Sequence, residues 1–417
     1  MKRFFLGIVL MLLSLSAFSQ MENLQKIEKL TKGVQNLNTM PAEKWNEIRP
    51  LVSAAKKNAV TAEHYKTWEW AAKMATYDKI AMLQYYQTHG NQFQNVKTFF
   101  MNEAELVRAA DKYCQLIQKP NAPVKKDEIA SLKNWAKSIA EGSRTNLYVG
   151  ATQFVYSDPA TTVTLLELYY KMFDSSLFVS ENLKETDSNY NEAAFVYATA
   201  LKATNGDKRK VEEYLKKALV SSNGALACQE LITLYTEGNN PVSARQYLQY
   251  GFEHFLQTNI FGINLAQTWI GEHKYDECIS VCDVLIKRMK DGMTPMKDEQ
   301  GTLLDNVWYP YYFKAVSFFN IEKYDKAYEA FVDADSQCPG HLELVMGAGT
   351  SAAKYGNIHF TDKAISKMWY QKAVQYLSKA EKAWPKESDQ WGFQLYACYH
   401  NMGNEEMAAK YKKYANQ

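Results

Sequence analysis

Four segments of this chain begin at positions separated in pairs by 34 residues: Ala225 and Asn259, then Trp308 and Leu342. That step constrains the fold more than any other feature. Within the clearest segment, from Trp308 to the Cys338-Pro339-Gly340 turn, apolar residues recur at helical spacing in two blocks. Small residues (Ala315, Ala327, Ala334) alternate with aromatics (Tyr311, Phe318, Phe331). Two helices cross closely only where small residues sit at the contact and larger ones fill the gaps beside it. Pro339 then ends the second helix. A unit of this size cannot bury its apolar face alone, so successive units must stack.

In this pattern the chain resembles the tetratricopeptide repeat, a 34-residue helix-turn-helix with aromatic, small and proline residues at set places. With Trp308 first, the matching residues are Tyr311, Ala315, Phe318, Ala327, Phe331, Ala334 and Pro339, and Lys314 departs from the usual leucine. The Asn259 unit matches at Leu265, Ala266, Trp269 and Tyr275, with Cys278 and Cys282 at packing places of its second helix. The Ala225 unit matches at Leu231, Tyr235, Ala244 and Leu248. The Leu342 unit puts Gly349 at the small place and Gly356 at the inter-helix turn. Its second helix returns about 12 residues late, with Ala373, Leu377, Ala380 and Pro385. Thr361 is placed to cap a long helix from Asp362 to Trp384 that projects beyond its neighbours. A weaker hairpin covers Asn191 to Asn223, and a last one holds Leu395, Tyr399, Gly403, Ala408 and Ala415, its final helix running from Glu405 to Ala415.

The resemblance implies an all-α fold, an α-solenoid of antiparallel helical hairpins wound as a right-handed superhelix. About six hairpins are expected over 191–417, with insertions near 291–307 and 357–368. The stretch 20–190 is helical by periodicity but matches the repeat poorly, and reads as divergent hairpins of the same kind. There Pro41 is placed to open one helix and Thr61 to cap another running toward Thr88. Phe100, Ala109 and Tyr113 hint at a degenerate hairpin, and turns are expected at Pro120 to Pro123 and at Asp158-Pro159.

Residues 1–19 read as a secretory signal: Lys2 and Arg3, an apolar run from Phe4 to Leu15, then Ala17-Phe18-Ser19. That run falls short of the roughly 20 apolar residues of a bilayer span. Cys114 is the first cysteine, so no lipid-bearing cysteine is expected at the mature start, Gln20. The leader is of the kind found on exported Gram-negative proteins, and a periplasmic place is expected ahead of an extracellular one. The formal net charge is +2, and Lys2 and Arg3 carry as much, so nothing here announces the clustered basic face of a nucleic-acid binder.

Motifs of catalysis are missing from the sequence: no glycine-rich phosphate loop, His-Glu-x-x-His, Gly-x-Ser-x-Gly or Cys-x-x-Cys occurs. The histidines are scattered, and no metal or cofactor is expected. Cys278 and Cys282 share a helical face but coincide with packing places, so they read as small buried hydrophobes.

Five places of each first helix line the groove in the tetratricopeptide family. The resemblance therefore implies a partner surface of Gln229, Thr233, Thr236, Ile263, Gln267, Ile270, Tyr309, Tyr312, Val316, Phe319, Asn320, Met346 and Thr350. This set leans apolar and aromatic and suits an apolar helix or extended peptide. The reading is a non-catalytic adaptor that binds a polypeptide. Alternatives are a glycan-binding protein of a polysaccharide-uptake system and, further off, an α/α-toroid glycosidase or lyase.

Overall fold

A computed structural model describes residues 21–34, 37–292 and 307–415. The expected signal at 1–19 and most of the insertion expected near 291–307 lie outside the described residues. Those residues are helical throughout, with no strand among them. In order they form α1 (21–31), α2 (Ala42–Lys57), α3 (Tyr65–Thr88), α4 (Val96–Ile117), α5 (Ile129–Phe154), α6 (Pro159–Phe173) and the short α7 (Leu183–Thr186). Next come α8 (Asn189–Ala203), α9 (Lys208–Ala218), α10 (Gly224–Glu237), α11 (Pro241–His254), α12 (Ile260–Gly271) and α13 (Tyr275–Lys290). The chain closes with α14 (Tyr309–Asn320), α15 (Tyr324–Gln337), α16 (Leu342–Ile358), α17 (Lys363–Ala383), α18 (Ser388–Asn401) and α19 (Glu405–Tyr411). The fold is all-α and helical hairpins are its unit.

The chain divides into two units, 1–227 and 228–417, with the boundary inside α10. The position where repeat character was expected to change, near 190, falls at the start of α8, within the first unit.

In the first unit, Trp45, Ile48, Val52 and Ala55 put one face of α2 against Ala71, Ala72 and Ala75 of α3. Trp45 stacks on Tyr77 with ring centroids 4.7 Å apart. Asp158 opens α6 by accepting the Thr161 N–H at 3.2 Å, with Pro159 at the first helical position. Thr61 does not cap α3. It is fully buried in a short 3-10 turn and donates to the Ala55 carbonyl at 2.7 Å, while His64 accepts the Lys66 N–H at 3.3 Å. Thr61 lies upstream of the capping position, which His64 occupies ahead of Tyr65.

In the second unit each helix packs on the next from α11 onward, α13 on α14 included, and first helices also touch first helices: α12 with α14, α14 with α16, α16 with α18. Tyr311, Ala315, Ala327, Phe331 and Ala334 are all buried, as the small-and-aromatic pattern requires. Cys278 and Cys282 are fully buried free thiols with sulfurs 3.9 Å apart.

Three boundaries differ from the sequence expectation. Gly356 lies inside α16 rather than at a turn, because an added Cβ there would stand 3.0 Å from the Tyr370 ring. The extra residues near 357–368 lengthen both helices, to 17 residues in α16 and 21 in α17. Asp362, not Thr361, caps α17, accepting from the Ala364 and Ile365 N–H groups, each at 3.1 Å. Near the C-terminus α19 stops at Tyr411 and a 3-10 turn, Lys412–Tyr414, follows, where one helix to Ala415 was expected.

Candidate functional site

Three first helices of consecutive hairpins, α14, α16 and α18, face a groove of about 460 Å³ in the second unit. Tyr312, Val316 and Phe319 come from α14, spaced so that they share one helical face. Glu343, Met346, Gly347 and Thr350 come from α16, and Gln390 and Gln394 from α18. Phe331 of α15 reaches in from behind. Its approach depends on Gly347, where an added Cβ would sit 2.4 Å from the Phe331 ring. Tyr312 meets Phe331 edge-on at 6.3 Å.

The polar side of the groove is a short ladder. The Thr350 hydroxyl donates to Gln394 Oε1 at 2.9 Å, and Gln394 Nε2 donates to the Gln390 carbonyl at 3.3 Å. Glu343 is the single carboxylate among the lining residues, and no lysine or arginine stands with it. Burial, helped by the Glu343 carboxylate, pushes the Tyr312 hydroxyl above its ordinary value, so it stays protonated and can donate. The size is that of a ligand pocket, with apolar wall and hydrogen-bonding rung side by side.

Of the residues expected to bind a partner, Tyr312, Val316, Phe319, Met346 and Thr350 are brought together here. Met346 is largely buried, at 8% exposure, and forms the floor. Tyr309 and Asn320 lie on α14 but do not line the groove: Tyr309 stacks on Trp308 at 4.6 Å, and the Asn320 amide donates to the Val316 carbonyl at 2.8 Å. On α12, Ile263 is buried in the core rather than offered to a partner, since at that place in the hairpin it faces the packed helices. Gln267 is exposed and Ile270 half-buried on the same helix. On α10, Gln229 is half-buried and Thr233 and Thr236 are exposed, their hydroxyls bonded to the Gln229 and Ile232 carbonyls at 3.1 and 2.8 Å.

Sequence reasoning missed Glu343, Gly347, Phe331, Gln390 and Gln394. Glu343 had a signal, because it follows Leu342 as Tyr309 follows Trp308. The two glutamines lie four apart on α18, whose register the preceding extra residues obscure.

Among the described residues, no group of three or more His, Cys, Asp or Glu side chains is placed to hold a metal ion. No helix among them is long and apolar enough to cross a membrane.

No protein-family model matches the chain, and no curated protein matches it. Solved structures that resemble it include the P58(IPK) TPR domain, at 15% identity over 96% of this chain and 99% of that one, with a TM-score of 0.23. The yeast Tom70 structure matches at 12% identity over 96% and 92%, with a TM-score of 0.26. The APC/C hetero-tetramer Cut9-Hcn1 matches at 11% identity over 89% and 76%, with a TM-score of 0.27. At such TM-scores the backbones do not superpose as wholes, and the fold and site described above rest on this chain's own residues.

Proposed function

We propose that this protein is an exported, non-catalytic adaptor of the tetratricopeptide kind that holds a polypeptide segment in the groove of α14, α16 and α18. The observation that carries the reading is the pairing of an apolar wall (Tyr312, Val316, Phe319, Met346) with the Thr350–Gln394–Gln390 ladder. An extended or helical segment brings apolar side chains for the wall and backbone or side-chain amides for the ladder. Each apolar side chain buried there is worth about 1.5–3 kcal/mol before the cost of association. The leader at 1–19 supports export, with the cell envelope as the place of action.

Panning a displayed random-peptide library on the purified chain tests this, with affinities of selected peptides read by fluorescence anisotropy. Tyr312→Ala combined with Phe319→Ala is expected to weaken selected peptides at least tenfold while circular dichroism keeps its helical signal. Selected peptides that bind the double variant as tightly as the parent would remove the groove from the reading. A glycan array run in parallel decides between a peptide and a sugar, and retention of glycans alone would overturn the proposal.

A further inference from the structure

A second hollow, of about 570 Å³, opens in the first unit between α4, α6, α8 and α9. Arg108 enters from α4, Lys171 from α6 and Lys210 from α9, and Glu167 is the sole carboxylate among the lining residues. Three tyrosines complete it: Tyr170, Tyr197 and Tyr214, with Tyr214 centred 4.7 Å from Tyr170 and 4.6 Å from Tyr197.

The cations here are poorly matched by the protein itself. Arg108 makes no hydrogen bond or ion pair with the described residues. Lys210 stands 3.8 Å from Glu167, and Lys171 stands 4.0 Å from the buried Asp111, both beyond hydrogen-bonding distance. The tyrosine hydroxyls divide in the same way. Tyr170 donates to the Tyr190 carbonyl at 2.8 Å, whereas those of Tyr197 and Tyr214 have no hydrogen-bond partner among the described residues. Burial pushes Tyr197 up to about 12 and moves Tyr214 upward as well, so both remain donors at neutral pH.

Three cations face one lining carboxylate, with buried Asp111 4.0 Å from Lys171 outside the lining, so a positive surplus remains together with two free O–H donors. A phosphate monoester carries about −1.5 to −2 charges at pH 7 and three acceptor oxygens. A carboxylate brings one charge and two acceptor oxygens, fewer than three cations and two O–H donors can engage. We propose that this hollow binds an organic phosphate monoester, with the phosphate held by Arg108, Lys171 and Lys210 and its organic body against Leu168 and the tyrosines. Arginine contributes the forked donor geometry that such oxygens accept, and the lysines act as point charges beside it.

Calorimetric titration of the full chain at low ionic strength, with phenyl phosphate as ligand and inorganic phosphate, sulfate and benzoate in separate arms, tests the assignment. Phenyl phosphate is expected to bind at least tenfold tighter than benzoate and several-fold tighter than either inorganic anion. Arg108→Gln is expected to weaken it at least tenfold, and Lys171→Gln and Lys210→Gln several-fold each. Tyr197→Phe and Tyr214→Phe keep the packed rings and remove the hydroxyls, so a several-fold loss in them reads ligand contact rather than folding. The groove variant Tyr312→Ala with Phe319→Ala should bind phenyl phosphate unchanged, which separates the two sites. Benzoate or inorganic phosphate binding as tightly as phenyl phosphate, or unaltered affinity in all three charge variants, overturns the proposal.

Discussion

Arg144 sits in the middle of α5 at 8% exposure, a guanidinium taken out of water. Tyr169, Phe173 and Phe178 lie 5.7, 5.5 and 5.7 Å from its centre, and Asp187, beyond the short α7, completes an ion pair. Tyr169 also donates to Asp187 at 2.9 Å. Burial raises the Asp187 carboxyl, but hydrogen bonds from Arg144, the Asn189 N–H and Tyr169 outweigh it and hold the group below its ordinary range. Removing one partner of a buried pair strands the other, at about 3–5 kcal/mol. Asp187→Asn is therefore expected to destabilise the chain by an amount near that range at neutral pH, read by urea unfolding. A carboxyl lowered in the folded state contributes stability above its unfolded value of about 3.9 and loses it as pH falls through the folded value. The gap between parent and Asp187→Asn should accordingly narrow as the medium is acidified below about pH 4, and a gap that is constant with pH would exclude the ion pair as its source. Nothing in the sequence marks this pair, whose members stand 43 residues apart.

At the scale of the element, hairpin turns repeat a backbone device that residue types conceal. Asn205, Asn239, His273, Glu322 and Gly403 all adopt positive φ, from 53° to 72°, each just after the first helix of a pair. The first three follow one another at the 34-residue step. In each case the next N–H bonds back to the carbonyl five residues earlier, as in Lys274 to Trp269 at 2.8 Å and Lys323 to Phe318 at 3.0 Å, closing the helix as a Schellman motif does. Only one of the five is glycine, so a search for glycine turns overlooks four. Left-handed backbone costs an L-residue roughly 1–2 kcal/mol. Glu322→Gly is expected to raise the Tm by about 2–4 °C, and Gly403→Ala to lower it by a similar amount, both read by differential scanning calorimetry. Movement of both in one direction would mean that the φ values are not what governs these turns. The α16–α17 pair departs from the device, and there the sequence misled: Gly356 reads equally as a turn former or as room for a ring, and Tyr370 makes it the second.

Over the whole molecule, Cys114, Cys228, Cys278, Cys282 and Cys398 are buried and only Cys338 is half-exposed, all as free thiols. Burial pushes Cys228 and Cys398 up to about 12, which leaves almost no thiolate at neutral pH. Alkylation of the native chain is expected to label Cys338 first and the remaining five only on unfolding, checked by mass spectrometry of labelled peptides. Rapid native labelling of Cys278 or Cys282 would contradict their packing. The all-α class, the recurrence of helical hairpins and the burial of Tyr311, Ala315, Ala327, Phe331 and Ala334 were legible in the sequence. They follow from periodicity, and a helix brings residues three and four apart onto one face wherever it occurs. Half of the groove's lining, Tyr312, Val316, Phe319, Met346 and Thr350, was named by the tetratricopeptide resemblance, whose groove places recur along each first helix. The remainder depended on distance across helices. Gln394 meets Thr350 from 44 residues away, Phe331 enters only because Gly347 has no side chain, and Arg108 joins Lys210 through two helices that neither residue belongs to. Local spacing fixes which face a helix buries, whereas the partner that face meets is settled only when helices close on one another in three dimensions.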